Sequence, residues 1–149
     1  MQLLSRRSML GIAAVVDIAH HARPAPVAAK ALASRHMLPP RHLETLLQAL
    51  VRHGILKGVR GPRGGYELAK ERRRITAGDI VRAAMTAALA EDEPQPNSRL
   101  VDHVVGPAVH RASQAFLREL DQVTVEDLCR DSDAKSVFGG APAGVDFAI

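Results

Sequence analysis

Apolar residues recur at helical spacing through the first third of the chain. This spacing predicts a first helix over residues 5–22, and we predict a short second helix over residues 27–35. We expect Pro39 or Pro40 at the first position of a third helix, where a missing backbone N–H does no harm. The apolar stripe of that third helix consists of Leu43, Leu46, Leu47 and Leu50. A short helix, a tight turn and an amphipathic helix predict a helix-turn-helix.

The pattern changes to that of a β-hairpin between Leu56 and Leu68. Two strand-like stretches flank a turn that contains Pro62, and proline presets φ for a turn. Glycine adopts positive φ without strain, so three glycines supply positions in the turn where positive φ costs nothing. They are Gly61, Gly64 and Gly65. A hairpin directly after the third helix predicts a wing, and hence a mostly α fold with one small hairpin, a winged helix-turn-helix.

Two helices beyond the hairpin have recognisable starts. Thr76 and Asp79 have the spacing of a capping box, as do Thr124 and Asp127. They predict one helix through Thr86 and a short helix near the end of the chain.

Residues 98–120 carry the longest helical pattern, and Pro107 within it is expected to kink or divide the helix. An apolar stripe of this length, outside a domain with its own core, predicts a partner helix. We predict that the partner is the same helix of a second subunit. The predicted dimerisation residues are Val101, Val105, Ala108, Val109, Ala112 and Phe116.

These patterns divide the chain into four parts. Residues 1–86 are predicted to form a winged helix-turn-helix DNA-binding domain. Residues 87–97 are predicted to be an acidic, proline-rich linker or loop, and residues 98–130 the dimerisation helix and a short last helix. Residues 131–149, rich in small residues, are predicted to be a flexible tail.

Composition agrees with this reading and restricts the protein classes. Aromatic residues are only 3% of the 149 residues, which suits a helical protein packed through Ala, Leu and Val. The net charge of +4 is compatible with a polyanionic partner such as double-stranded DNA. Cys129 is the only cysteine, which excludes a disulfide framework and favours a reducing cytoplasm. No apolar stretch is long enough to span a membrane.

The N-terminal sequence offers an alternative. Arg6-Arg7 followed by an apolar run resembles a twin-arginine export signal. Asp17 interrupts that run, however, and His20-His21 follow where a cleavage site should lie. We therefore predict a buried first helix in a cytoplasmic, nucleoid-associated protein.

The hairpin tip and the third helix carry side chains suited to DNA. Arg60 is predicted to enter a narrow A·T-rich minor groove, and the alternative is an arginine that only solvates the turn. Glu44 is predicted to accept a hydrogen bond from cytosine N4 in the major groove. Its alternative is an intrahelical interaction with Arg41 or Gln48. The other predicted base or phosphate contacts are Arg7, Arg41, His42, Thr45, Arg52, Lys57 and Arg63.

One segment resembles the wing signature of a known family. Gly54-Ile-Leu-Lys-Gly-Val-Arg60-Gly-Pro-Arg-Gly-Gly-Tyr66-Glu-Leu68 is similar to that of the Rrf2 family of bacterial winged-helix repressors, the relatives of the iron–sulfur cluster regulator IscR. Supporting matches are Leu43-Glu44, Ile75-Thr-Ala-Gly-Asp79-Ile80 and Val123-Thr-Val-Glu-Asp-Leu128. The resemblance covers residues 3–128. It implies a transcription regulator in which Arg60 enters the minor groove and Glu44 selects among operators.

The chain departs from that family in its cluster region. Members with a [2Fe-2S] cluster have three cysteines in the region that here runs from Ala87 to His103, which contains none. His103 falls where the last cysteine would be, and Gly106 falls where some relatives have a histidine ligand. A cluster needs several thiolates, so we predict no iron–sulfur cluster and no other cofactor. Because Pro39, Pro40 and His42 replace the usual head of the recognition helix, the operator sequence is not transferable.

The remaining reactive side chains predict no further chemistry. His103 and His110 would lie about 10 Å apart on a straight helix, too far to share one metal ion within one chain. Cys129 is predicted to be an inert thiol. No nucleophile–base pair, phosphate loop or ligand pair predicts an enzyme.

We therefore predict a homodimeric regulator, a repressor, on a pseudo-palindromic promoter site. The alternative is a winged-helix protein-interaction module that does not recognise DNA sequence. The sequence leaves open the operator, the regulated genes, activation versus repression, and any small-molecule or redox effector.

Overall fold

The structure is a computed structural model that describes residues 3–87 and 96–139. Its elements in chain order are α1 (Arg6–His21), α2 (Ala29–Arg35), α3 (Arg41–Arg52), β1 (Leu56–Val59), β2 (Gly65–Leu68), a 3-10 turn (Arg72–Arg74), α4 (Ala77–Ala87), a π-helical stretch (Val101–Val105), α5 (Gly106–Leu120) and α6 (Val125–Ala134). The predicted fold class, mostly helical with one small hairpin, is confirmed. Most of the predicted linker, residues 88–95, lies outside the described residues.

The apolar stripe of α3 forms the centre of the core. All four predicted leucines of this stripe are buried. The helix α1 packs against α3, α4 and α6, and its Val15 and Ile18 are buried in the same core. The apolar run that follows Arg7 is therefore a core helix.

The hairpin pairs its strands in antiparallel register, with Leu56 opposite Leu68. Gly61 has a φ of 118°, as predicted for the turn. Gly64 and Gly65 do not use this freedom, since neither has a positive φ. These two positions are restricted by space, because a Cβ on either glycine would overlap a neighbouring backbone carbonyl group.

A backbone bridge that the sequence pattern did not reveal anchors the hairpin. The amide of Val27 donates to the carbonyl of Tyr66 at 2.9 Å, and the amide of Tyr66 donates to the carbonyl of Val27 at 2.8 Å. This bridge ties β2 to the segment that leads into α2. The wing is therefore attached on both sides, to α3 through β1 and to the start of α2 through β2.

Both predicted capping boxes are confirmed. The amide of Asp79 donates to Thr76 Oγ1 at 3.0 Å, and the amide of Thr76 donates to Asp79 Oδ2 at 3.1 Å. Thr124 and Asp127 make the same reciprocal pair at the start of α6. Thr76 and Thr124 also form an isolated antiparallel bridge, which joins the starts of α4 and α6.

The predicted division of the chain placed the last helix in the same region, residues 98–130, as the dimerisation helix. In the structure, α6 instead packs on α1 and on the 3-10 turn, and its Val125 and Cys129 are buried in the core of the winged-helix domain. The sequence of a short amphipathic helix indicates which face is apolar, but it does not indicate which element packs against that face.

The predicted flexible tail needs a correction over its first nine residues. The last helix continues past Asp131 to Ala134. Phe138 then stacks on His20, with 4.5 Å between the ring centroids, so this segment is docked on the end of α1. The rest of the predicted tail, residues 140–149, lies outside the described residues.

Pro107 neither breaks nor divides its helix. The stretch Val101–Val105 widens into a π-helix, in which the amide of Gly106 donates to the carbonyl of Val101, and α5 continues from there. A Cβ at Gly106 would lie 2.8 Å from that carbonyl oxygen, so the wide turn has room only for glycine. A proline removes one backbone donor, and a π turn before it redistributes the remaining bonds.

Met37, in the turn between α2 and α3, predicts a stability effect. It has a φ of 53°, which strains a residue with a Cβ, and its side chain is 90% exposed. We expect Met37→Gly to raise the free energy of unfolding by roughly 0.5–1 kcal/mol, the relief of strain less the added entropy of the unfolded chain. Urea unfolding measures it. Met85→Gly, at an exposed position within α4, should lower stability by about 1 kcal/mol. A loss of stability in Met37→Gly would contradict the prediction.

Candidate DNA-binding surface

The helix α3 presents a polar face opposite its buried leucines. Arg41, His42, Glu44 and Thr45 are all exposed on this face, close to the start of the helix. Because the leucine stripe faces the core, Arg41 and Thr45 point away from it, and His42 and Glu44 flank them on either side. The first turn of a recognition helix is where base contacts concentrate.

Glu44 makes no ion pair and no side-chain hydrogen bond among residues 3–87 and 96–139. The intrahelical alternative for this residue, an interaction with Arg41 or Gln48, is therefore not formed. A solvated carboxylate in a cationic setting remains able to accept a hydrogen bond.

The tip of the wing holds two exposed guanidinium groups, Arg60 and Arg63. The tip is a tight turn closed by the amide of Gly64, which donates to the carbonyl of Gly61 at 2.9 Å. Neither arginine forms an ion pair within the described part of the chain. A rigid, narrow turn therefore presents two charges that protein carboxylates do not neutralise.

The wing and α3 are neighbours across a groove of about 330 Å³. The groove is lined by Gln48, Val51 and Arg52 of α3 and by Gly58 and Tyr66 of the hairpin. Arg52 thus lies between the reading face of α3 and the wing. Among the predicted DNA contacts, Arg52 is the one that lines this groove.

Lys57 is placed differently from the other predicted contacts. Neighbouring residues of a strand point to opposite faces, and Gly58 faces the groove beside α3. Lys57 lies on the other face of the hairpin, where its Nζ is 3.1 Å from a carboxylate oxygen of Glu67. It lines a separate surface with Arg23 and Lys70.

Arg7 has a structural bond that the sequence did not predict. Its Nη1 donates to the carbonyl of Ala87 at 2.8 Å, at the C-terminal end of α4. The side chain is half-buried, whereas its neighbour Arg6 is exposed. We predicted that Arg7, and not Arg6, contacts DNA. The sequence of two adjacent arginines does not indicate which of them faces the protein interior.

A cleft of about 710 Å³ lies between the starts of α1 and α3. It is lined by Arg6, Arg7, Leu10, Leu38, Arg41, His42 and Thr45. Among the described residues, this lining contains cationic, apolar and hydroxyl side chains and no carboxylate. The cleft therefore extends the positive face of α3 to the first turn of α1.

The first turn of α1 has two arginines and no acidic residue. Cations near the N-terminus of a helix oppose its dipole, at a cost of about 0.3–1 kcal/mol for each charge. The Ser5 hydroxyl caps the helix by accepting from the amide of Ser8 at 3.1 Å, which satisfies one donor. Arg7 donates to the carbonyl of Ala87, whereas Arg6 makes no such bond within residues 3–87 and 96–139.

A buried carboxylate joins α1 to the helix-turn-helix. The side chain of Asp17 is 1% exposed and accepts from Arg35 Nη2 at 2.6 Å and from Arg35 Nε at 3.0 Å. Its oxygens are also 3.0 Å from His21 Nδ1 and from His36 Nε2. Arg35 and His36 stand at the end of α2, immediately before the turn into α3. The network therefore fixes the position from which the recognition helix starts.

The pKa of Asp17 reflects opposing effects. Burial alone would raise it, but hydrogen bonds from Arg35 and the charges of Arg35, His21 and His36 hold the pKa below its ordinary value. The hydrogen bond to Asp17 in turn raises the pKa of Arg35. Asp17 is thus a carboxylate, and its charge is compensated inside the fold.

Comparison with known proteins now decides the family. The profile of the family described as "Rrf2: Iron-dependent Transcriptional regulator" matches residues 4–131. This chain belongs to the Rrf2 family. The Rrf2 protein of Nitratidesulfovibrio vulgaris is 33% identical over 132 residues, which are 87% of this chain and 88% of that protein. As a member of this family, the chain is a DNA-binding transcriptional regulator.

Solved structures of Rrf2 regulators share its fold. IscR of T. potens aligns with a TM-score of 0.68 at 30% identity, over 90% of both chains. CymR of Bacillus subtilis, the global cysteine regulator of that organism, aligns with a TM-score of 0.65 at 28% identity, over 89% of this chain and all of that one. The winged-helix arrangement of this Rrf2 protein is therefore that of known regulators.

The donor set of this Rrf2 chain does not fit an iron–sulfur cluster. Cys129, the one thiol in the sequence, is buried in α6, and burial raises its pKa. His103 and His110 are exposed on the helical segment 101–120. No three His, Cys, Asp or Glu side chains in residues 3–87 and 96–139 are grouped to hold a metal ion.

Within the same ranges, no helix has the length and apolar character needed to cross a bilayer.

Proposed function

We propose that this Rrf2 regulator represses transcription as a homodimer bound to a pseudo-palindromic promoter site, and that it does so without an iron–sulfur cluster. The observation that carries the proposal is the packing of the hairpin against α3, with Arg60 exposed at the hairpin tip and the polar side chains at the start of α3 also exposed. A helix in the major groove and a wing at the adjacent minor groove require this arrangement. In a symmetric dimer, the two copies contact half-sites about 34 Å apart or a multiple of it.

The proposed contacts divide into three kinds. Arg60 reads the width of the minor groove, and Glu44 reads cytosine in the major groove. The remaining cations on this face neutralise phosphates, and the release of counterions supplies most of the affinity. Those cations are Arg41, Arg52 and Arg63, and His42 and Thr45 are proposed to contact bases or phosphates beside them. Lys57 is assigned to flanking phosphates only, because its side chain lies on the opposite face of the hairpin.

Selection of bound fragments from the source genome, followed by salt-titrated gel shifts, tests the proposal. We expect recovered fragments to share a pseudo-palindrome, and affinity for them to fall steeply between 50 and 200 mM salt, about a thousandfold or more for 6 phosphate contacts. Recovery of no common motif, with no retardation at low salt, would support a protein-interaction module instead.

Two connected apolar surfaces support the homodimer. Val104, Val105 and Val109 are 59%, 44% and 57% exposed along the helical segment 101–120. Phe116, on the same segment, also lines a groove of about 720 Å³ whose walls are mainly apolar side chains of α1, of the residues just before α1 and of those just after α6. A second copy related by a two-fold axis would cover both surfaces at once.

Val109→Glu is expected to disrupt the dimer. In one protomer Val109 is 57% exposed, so the carboxylate is solvated there, whereas in the proposed interface it would be buried without a partner. We expect a monomer at micromolar concentration by analytical ultracentrifugation, with folding unchanged by circular dichroism. Met85→Glu also introduces a carboxylate in place of an apolar side chain, at a position on α4 that is 51% exposed, and should leave the dimer intact. A wild type that is monomeric at this concentration would contradict the dimer.

Glu44→Ala is expected to broaden base preference more than it lowers affinity. A carboxylate near DNA costs electrostatic energy, so removing it also removes a repulsion, and the net loss of affinity should be small. The matched variant Glu44→Gln keeps the size and an acceptor but loses the charge. In vitro selection with both variants is the measurement. If both select the motif of the wild type, Glu44 does not read a base.

A further inference from the structure

We infer that Arg6, in the first turn of α1, binds a backbone phosphate of the DNA together with Arg41 of the recognition helix. This inference rests on the proposed function and adds a contact from an element outside the helix-turn-helix and the wing. It concerns a residue that the sequence analysis did not select.

The position of Arg6 provides the first argument. Arg6 and Arg41 line the same cleft of about 710 Å³, and both side chains are exposed. Leu10 and Leu38 provide its apolar lining, which joins the two helices at this point. A strand that passes the first turn of α3 would therefore also pass the first turn of α1.

The charge of the cleft provides the second argument. Its described lining has three arginines and a histidine without a carboxylate. Arg7 is engaged with the carbonyl of Ala87, which leaves Arg6 as the exposed guanidinium on the α1 side. The guanidinium of Arg6 makes no ion pair or side-chain hydrogen bond within residues 3–87 and 96–139. A guanidinium without a protein partner can donate two parallel hydrogen bonds to the oxygens of one phosphate.

A surface arginine that served only solubility would not need a carboxylate-free cleft. As a cation in the first turn of α1, Arg6 also opposes the dipole of that helix, and binding of an anion would offset this unfavourable placement. DNA is the anion that the neighbouring face already contacts in the proposed function.

Removal of the phosphate contact has a measurable signature. We expect Arg6→Ala to lower affinity for specific and unrelated DNA by the same factor, about three- to tenfold at low salt, and to reduce the slope of log K against log salt by about 0.9. The selected motif should not change. Arg6→Lys, which keeps the charge, should retain the slope of the wild type. Arg130→Ala removes an equal charge from the exposed side of α6 and should alter neither quantity.

Methylphosphonate substitution locates the phosphate. Each phosphate of a selected site is replaced in turn by its uncharged methyl analogue, and binding of wild type and Arg6→Ala is compared. At one phosphate per half-site, neutralisation should weaken the wild type by a larger factor than it weakens Arg6→Ala, in which only Arg41 still binds that phosphate. Additive losses at every phosphate, or an unchanged slope in Arg6→Ala, would overturn the inference while the proposed function stands. A wild type that binds no DNA would overturn both.

Discussion

Replacement of Arg60 with alanine is expected to weaken binding to A·T-flanked operator sites by about 5- to 150-fold, from a loss of about 1–3 kcal/mol. The narrow minor groove of A·T-rich DNA concentrates negative potential, and a guanidinium is more weakly hydrated than an ammonium, so it enters the groove at a lower desolvation cost. In this chain the tip is a tight turn whose φ at Gly61 is 118°, so Arg60 is held out on a narrow support. Fluorescence anisotropy with paired A·T-flanked and G·C-flanked sites measures the loss.

Arg63→Ala is the matched control, because it removes the same charge from the same turn. A phosphate contact does not depend on base composition, so Arg63→Ala should weaken both kinds of site equally. Arg60→Ala should weaken the A·T-flanked site more. Equal losses for both sites in Arg60→Ala would remove this residue from the minor groove.

Replacement of Arg35 with alanine is expected to lower the free energy of unfolding by about 3 kcal/mol. Removing one partner of a buried ion pair leaves the other charge uncompensated, which typically costs 3–5 kcal/mol. We expect the lower end of that range, since His21 and His36 still contact Asp17. Urea unfolding at neutral pH is the measurement.

Arg82→Ala is the control for this variant. Arg82 and Asp121 form an equally short pair, 2.6 Å between Nη1 and Oδ1, but both side chains are more than one-third exposed. An exposed pair contributes at most about 1 kcal/mol. If the two variants lose the same stability, burial of Asp17 does not determine the effect.

The contribution of Asp17 to the free energy of unfolding depends on pH in a definite direction. The folded-state pKa of Asp17 lies below the ordinary value of 3.8, so its contribution is fully present above pH 3.8 and is lost as the pH falls below it. Arg35→Ala removes the main partner that lowers this pKa. The difference in stability between wild type and variant should therefore be constant near neutral pH and narrow as the pH falls below 3.8. A constant difference down to pH 2 would contradict this account.

Local pattern predicted the elements of the fold. The leucine stripe of α3 and the two capping boxes depend on residues three to seven apart, and each is present as predicted. The hairpin followed from its glycines and Pro62 in the same way. Such signals are local because they reflect one turn of helix or one tight turn of backbone.

Contacts between distant segments were not predicted. The bridge between Val27 and Tyr66, the bond from Arg7 to Ala87 and the place of α6 in the core all join segments far apart in sequence. Asp17 did carry a signal, since a carboxylate within an apolar run needs a buried partner. We interpreted it as an argument against an export signal. The sequence did not show that Arg35, 18 positions away, would be that partner.

The π-helical turn before Pro107 changes the angular phase of the helix that contains it. An α-helix advances about 100° per residue, and a π turn takes up about one residue more than an α turn. A helical wheel drawn straight through Pro107 therefore misplaces everything upstream, including Val101 and His103. Deletion of one residue from the stretch Val101–Val105 would restore uniform α-helical winding and leave the upstream side chains on the same side of the axis.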